Sequence, residues 1–138
     1  MTNKVVFTVG RFLDLIRSEP ESDKSIGLLI KILDELAWLA HSVEYDFDDT
    51  EYSEPPEFDQ QATYKNARKW LQAMQQDEND AIDAIMDLSE LADDLEEIYW
   101  RFNNTSEADA LFHYLLGFQT HWGHHLRSLQ KAIHEWYW

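Results

Sequence analysis

Apolar side chains along this chain recur in steps of three and four rather than in alternation, the spacing of helices that bury one face. Val5, Val9, Phe12, Leu13 and Ile16 form the first such stripe. Ser18-Glu19-Pro20 closes it, because the residue before a proline avoids the helical region. Ser22 or Asp23 is placed to cap a second helix over about residues 24–45. There Ile26, Leu29, Ile30, Leu33, Leu36, Ala37 and Ala40 make the stripe, and Leu28, Ile32 and Leu39 widen it. This long apolar helix is expected at the centre of the core.

A third helix is predicted over about residues 60–76, with Tyr64, Ala67, Trp70, Leu71 and Met74 on one side and Lys65, Arg68 and Lys69 on the other. Leu88, Leu91, Leu95, Ile98 and Phe102 mark a fourth, whose start falls between residues 80 and 90, with Asp80 and Ser89 as alternative caps. Asn103-Asn104-Thr105 ends it, and Ser106 caps a last helix running from about residue 107 towards the C-terminus. Leu111, Leu115, Phe118, Trp122, His125, Leu129, Ala132 and Trp136 step by four and three along that helix, as a bundle seam does. The pattern predicts an all-α fold: a single helical domain over residues 1–138, built as a bundle of about five helices with a long C-terminal one.

One stretch breaks the pattern. Residues 44–59 hold eight acidic side chains, no lysine or arginine, and the Pro55-Pro56 pair, so residues 46–59 read as an acidic loop within the domain. Tyr45, Phe47, Tyr52 and Phe58 are expected to anchor it on the bundle. Calcium is the alternative use of so many carboxylates, but the alternating ligands, central glycine and closing glutamate of an EF-hand are missing.

Composition supports the helical reading, since only four glycines and three prolines occur in 138 residues. A net charge of −16, from 27 acidic and 11 basic residues, leaves no basic footprint for nucleic acid and disfavours anionic membranes. No run of about 18 apolar residues exists, the N-terminal residues lack a signal-peptide pattern, and there is no cysteine. A cytoplasmic protein without a membrane span is expected.

The candidate chemistry lies in "FQTHWGHHL", residues 118–126. His121 and His125 are one helical turn apart, the spacing at which two imidazoles reach one metal ion. His125 falls in the seam, whereas His124, His113 and His134 look peripheral. The glutamate that follows the first histidine of a zinc protease is replaced by Trp122, so that motif is excluded. Asp93 and Asp94 are the expected counterparts from the fourth helix, with Asp94 bordering its apolar stripe. The group is either a buried polar lock between two helices or a divalent-metal site with His121, His125 and Asp94 as candidate ligands. No catalytic residue is assigned, because no phosphate loop, nucleophile elbow or Glu-x-x-His pair is present. Gly117 and Gly123 are expected to permit close helix approach.

"LADDLEEIYWRF" and "FQTHWGHHL" together resemble an uncharacterised bacterial family of small all-helical proteins, a domain of unknown function. Leu91-Ala92-Asp93-Asp94-Leu95, Ile98-Tyr99, Phe118, His121-Trp122-Gly123 and His125 match its pattern. His124 falls on a variable place, and Glu97 stands where the pattern has aspartate. The resemblance covers the C-terminal third. It implies a helical domain, singles out Asp93, Asp94, His121 and His125, and supplies no activity, substrate or cofactor.

The leading expectation for function is a non-enzymatic interaction or regulatory module with a protein partner or a second copy of itself. Trp136, Tyr137 and Trp138 are the candidate interface, and a homodimer is the simplest arrangement. No cofactor is required by the sequence, and a divalent metal at the His/Asp group is the second expectation. A third is an acidic mimic or neutraliser of a basic partner, bound through the two acidic stretches.

Overall fold

Burial of these stripes produces helices α1 (Thr2–Arg17), α2 (Asp23–Ala40), α3 (Gln60–Ala73), α4 (Glu78–Asn104), α5 (Glu107–Thr120) and α6 (Trp122–Tyr137). The computed structural model describes residues 2–21, 23–74 and 76–138, and for Thr2, Asn3 and Asp80 the backbone alone. Among the described residues there is no strand, and no helix is long and apolar enough to cross a membrane. Among these residues the all-α bundle has six helices rather than five.

Helix α4, at 27 residues, is the axis of the bundle, packing on α1, α3, α5 and α6. The central place expected for α2 is taken by α4, while α2 packs its buried stripe on α1, α5 and α6. Ala81, Ala84, Ile85, Leu88, Leu91, Ala92, Leu95 and Ile98 are its buried face. It starts earlier than the alternatives at 80 and 89. Asp77 is its cap, accepting from the Asn79 amide at 3.0 Å, while Ser89 is buried within the helix and the Asp80 side chain lies outside the described residues. Ser22, the alternative cap of α2, also lies outside them.

Helix α2 ends at Ala40, short of residue 45. The amides of His41 and Ser42 bond back only three residues, to Trp38 and Leu39. The carboxylates of Glu44, Asp46, Asp48 and Asp49 follow, and negative charge at a helix C-terminus opposes its continuation. The α2 stripe is buried as expected except for Leu28, which is exposed, and Ile30, which is half-buried. Helix α3 stops at Ala73, and its basic side chains pair with acids from elsewhere, Arg68 with Glu78 at 3.7 Å and Lys69 with Glu19 at 2.6 Å.

The acidic segment after α2 is tied down at Asp48. Its carboxylate accepts from the Tyr52 hydroxyl at 2.6 Å, from the Thr50 amide at 3.0 Å, and from the hydroxyl of Ser106. Ser106 is itself the cap of α5, accepting from the Asp109 amide at 3.0 Å. These donors, Ser106 foremost, hold the Asp48 carboxyl well below the usual carboxylate range. Tyr45 lies edge-on to Phe112, and Tyr52 and Phe58 are half-buried. Phe47 is not an anchor, because it stands 84% exposed.

Three buried aromatics pin the helices through their polar tips, each donating to a backbone carbonyl. Trp70 Nε1 reaches Ile16 at 3.1 Å, the Tyr114 hydroxyl reaches Leu36 at 2.6 Å, and Trp122 Nε1 reaches Tyr114 at 3.1 Å. The last of these ties α6 to α5 across a break where a single long C-terminal helix was expected.

That helix breaks at His121, which is both the C-cap of α5 and the N-cap of α6. The break resets the seam. Ala110, Leu111 and Tyr114 are buried on α5, and Trp122, Leu126, Leu129 and Ile133 on α6, while Leu115, Phe118, Ala132 and Trp136 are only half-buried. Two glycines make room for it. A Cβ at Gly117 would lie 2.6 Å from the Trp122 ring, and one at Gly123 only 2.0 Å from the Phe118 carbonyl oxygen. Trp122 can turn inward because both positions lack a side chain.

A clash with backbone cannot be relieved by a rotamer change, so Gly123→Ala is expected to lower stability by about 2–3 kcal/mol in urea unfolding. Gly27, inside α2, has nothing within 4 Å of its missing Cβ. Gly27→Ala should therefore raise stability by about 0.5–1 kcal/mol in the same assay.

Candidate metal centre

The polar face of α4 carries Asp83, Asp87, Glu90, Asp94, Glu97 and Arg101 in alternating steps of four and three. On a helix that spacing makes one continuous stripe. Arg101 pairs with Glu97 at 3.4 Å and with Asp109 of α5 at 3.0 Å, fixing the C-terminal end of α4 against α5. Further back along the stripe, the histidines around the α5–α6 break meet Asp94, Glu90 and Asp87.

His121 Nδ1 donates to Asp94, and His121 Nε2 lies 3.4 Å from Glu90 Oε2. His125 Nδ1 donates to Asp87 at 2.8 Å, and His125 Nε2 lies 2.5 Å from the same Glu90 oxygen. The two rings meet edge to face with centroids 4.9 Å apart. Every nitrogen of both imidazoles thus faces a carboxylate oxygen, and Glu90 sits between the two Nε2 atoms.

Contact with Asp94 raises the pKa of His121 above the ordinary histidine value, against a smaller opposing effect of burial. Asp94 is itself raised, chiefly by burial, with His121 pulling the other way. The pair therefore holds a proton between them more tightly than either group does in water.

Of the residues singled out by sequence, the structure brings His121, His125 and Asp94 together. Asp94 occupies the Nδ1 side of His121, away from the point where Glu90 and the two Nε2 atoms converge. Asp93 does not join them. It lies beside Thr63 of α3 and lines a cleft of about 590 Å³ with Pro55, Phe58, Asp59 and Gln61. Glu90 and Asp87 were not singled out. The signal for both was the four-three spacing through Asp87, Glu90 and Asp94, hidden among ten acids between residues 77 and 97.

His124 is exposed, as is His134, which stacks on Trp138. His113 is half-buried and lies 3.5 Å from Asp109; burial and nearby Arg101 depress its pKa. At the C-terminus Trp136 packs on the core, while Tyr137 and Trp138 are 40% and 84% exposed.

The convergent donors are Glu90, His121 and His125, whose ligand atoms all lie within 4.8 Å of one another. Two imidazoles and one carboxylate, with each Nδ1 held by an aspartate, are donor types that zinc sites also use. With the Nδ1 of each ring turned to an aspartate, both Nε2 atoms face Glu90.

Asp93 carries a separate electrostatic load. One of its carboxylate oxygens is buried without a hydrogen-bond partner, and burial, with help from Glu96, Asp94 and Glu90, pushes its pKa up to about 6. Between the unfolded carboxylate value and about 6 the folded chain holds a proton that the unfolded chain has released, so this group costs stability as pH rises through that window. Asp93→Asn is expected to raise the melting temperature at pH 8. That gain should shrink steadily as the pH is lowered to 5, and a gain independent of pH would contradict the assignment.

No family model matches the chain, and no curated protein does. Among solved structures, protein BF1032 from Bacteroides fragilis is similar, with a TM-score of 0.79 and 16% identity. The match covers 99% of this chain and 91% of that one, and at such identity the likeness is one of fold.

Proposed function

We propose that this protein is a divalent-metal-binding helical module, in which Glu90, His121 and His125 hold one cation of the zinc class between α4 and the start of α6. The carrying observation is the meeting of Glu90 Oε2 with both Nε2 atoms, at 2.5 and 3.4 Å, while Asp87 and Asp94 hold the opposite ring nitrogens. Neighbouring ligand atoms of a tetrahedral zinc ion stand roughly 3.3 Å apart. The Glu90–His121 separation already has that value, and the Glu90–His125 contact needs to open by only about an ångström. Imidazole nitrogen favours zinc and its transition-metal neighbours over calcium and magnesium, which take oxygen ligands.

In this reading the module is regulatory rather than enzymatic. The ligands lie on the rim of a helix crossing, with His121 and Glu90 side chains 51% and 38% exposed, so an ion there links three segments at the surface. It joins the middle of α4 to the break that separates α5 from α6, and so sets how firmly that break is held. A cytoplasmic role with a protein partner, or with a second copy through Tyr137 and Trp138, fits such a switch.

Untagged protein is expected to bind one equivalent of Zn²⁺ by calorimetry and metal analysis, and to melt higher in its presence. With free metal at one hundred times the dissociation constant the gain should be about 2.7 kcal/mol. The His121→Ala/His125→Ala double variant should lose both effects. Sub-stoichiometric metal in the wild type, or full binding in that variant, would leave the residues as a polar lock between helices and nothing more.

A further inference from the structure

The donors at this centre approach from one side. His125 forms its floor, with a side chain 25% exposed, while His121 at 51% and Glu90 at 38% stand towards water. Among the described residues the group of mutually close donors is these three. Asp87 and Asp94, the adjacent acids of the α4 stripe, are engaged by the ring Nδ1 atoms. An ion resting on Glu90, His121 and His125 therefore has protein beneath it and solvent above. Three protein ligands with one position free is the pattern of zinc sites that bind exogenous molecules, whereas purely structural sites close with four.

Charge decides what can fill that position. The carboxylates of Asp87, Glu90 and Asp94 outnumber the two charges of a divalent ion, so the loaded centre stays negative. The whole chain, at −16, adds a repulsive field for anions. An incoming anion meets that repulsion at close range, and a neutral donor does not. Nitrogen is preferred because the ion already rests on two imidazoles and is of the class that favours them.

We propose, resting on the metal-binding reading, that the centre keeps one coordination position open to solvent and that its ligand is an uncharged nitrogen donor of the imidazole class, not an anion. Such a donor can be a free heterocycle or a histidine on a partner protein, and the chemistry at the ion is the same for both.

The test uses the full chain loaded with Co²⁺, whose visible absorption reports changes in coordination, with equilibrium dialysis to show that the cobalt stays bound. Imidazole is expected to shift the visible bands saturably and to bind at least about tenfold more tightly than azide. A spectrum indifferent to imidazole, on protein that retains one cobalt, would mean a closed site and overturn this inference while leaving metal binding intact. Azide binding as tightly as imidazole would overturn the choice of ligand class. Failure to take up cobalt at all would remove both readings together. A peptide carrying one histidine, compared with the same peptide carrying alanine, separates a partner side chain from a free heterocycle.

Discussion

The approach of Gly123 to the Phe118 carbonyl is the constraint on which the C-terminal half of this fold depends. Only a residue without a side chain fits there, and only with Gly117 also bare can the Trp122 indole fold under the chain and donate to Tyr114. Residues 107–137 are consequently two helices joined at a corner. His121 occupies the corner itself, capping one helix and starting the next, so its ring is delivered to α4 by backbone geometry. His125 follows one turn later in the new helix. Across the corner the pairing with α4 stays antiparallel and in step, Asp109 on Arg101, His121 on Asp94 and His125 on Asp87.

The second determinant is the acidic stripe of α4. A helix that touches four others has little surface left on which to hide charge, and this one places carboxylates at the edge of its contact with α5 and α6. Asp87, Glu90, Asp94 and Glu97 are each answered there by an arginine or a histidine. The same contacts satisfy the stripe and assemble the centre, so packing and candidate chemistry share one origin. Asp93 shows what happens where that answer is missing: it turns towards α3 and a cleft, and its carboxyl is held closer to neutrality by burial.

Much of the architecture was legible in the spacing of apolar residues. The helices, the cap at Ser106, the irregular acidic segment and the pairing of a C-terminal histidine with Asp94 all follow from local pattern. The break at His121 did not, because its residues keep a helical rhythm on both sides and contain no proline. What interrupts the helix is a steric allowance at two glycines, which spacing alone does not distinguish from ordinary close packing. Glu90 and Asp87 were invisible for a different reason. In a helix crowded with acids, the members that matter are chosen by the crossing angle and the offset of the neighbouring helix, and neither quantity is local in sequence.

The inward turn of Trp122 also gives the molecule an optical property. Of the six tryptophans, Trp70 and Trp122 are fully buried, while Trp38 and Trp138 are largely exposed. The Trp122 indole lies against Tyr114 and Phe118, and it directly follows the histidine at the corner. Its emission belongs to an apolar, rigid surrounding, whereas that of Trp38 and Trp138 belongs to water. Quenching by an uncharged soluble collider such as acrylamide will silence the outer pair first and leave a blue-shifted remainder. Changes in that remainder on loosening the corner then reach the observer as light from a chromophore the chain already contains.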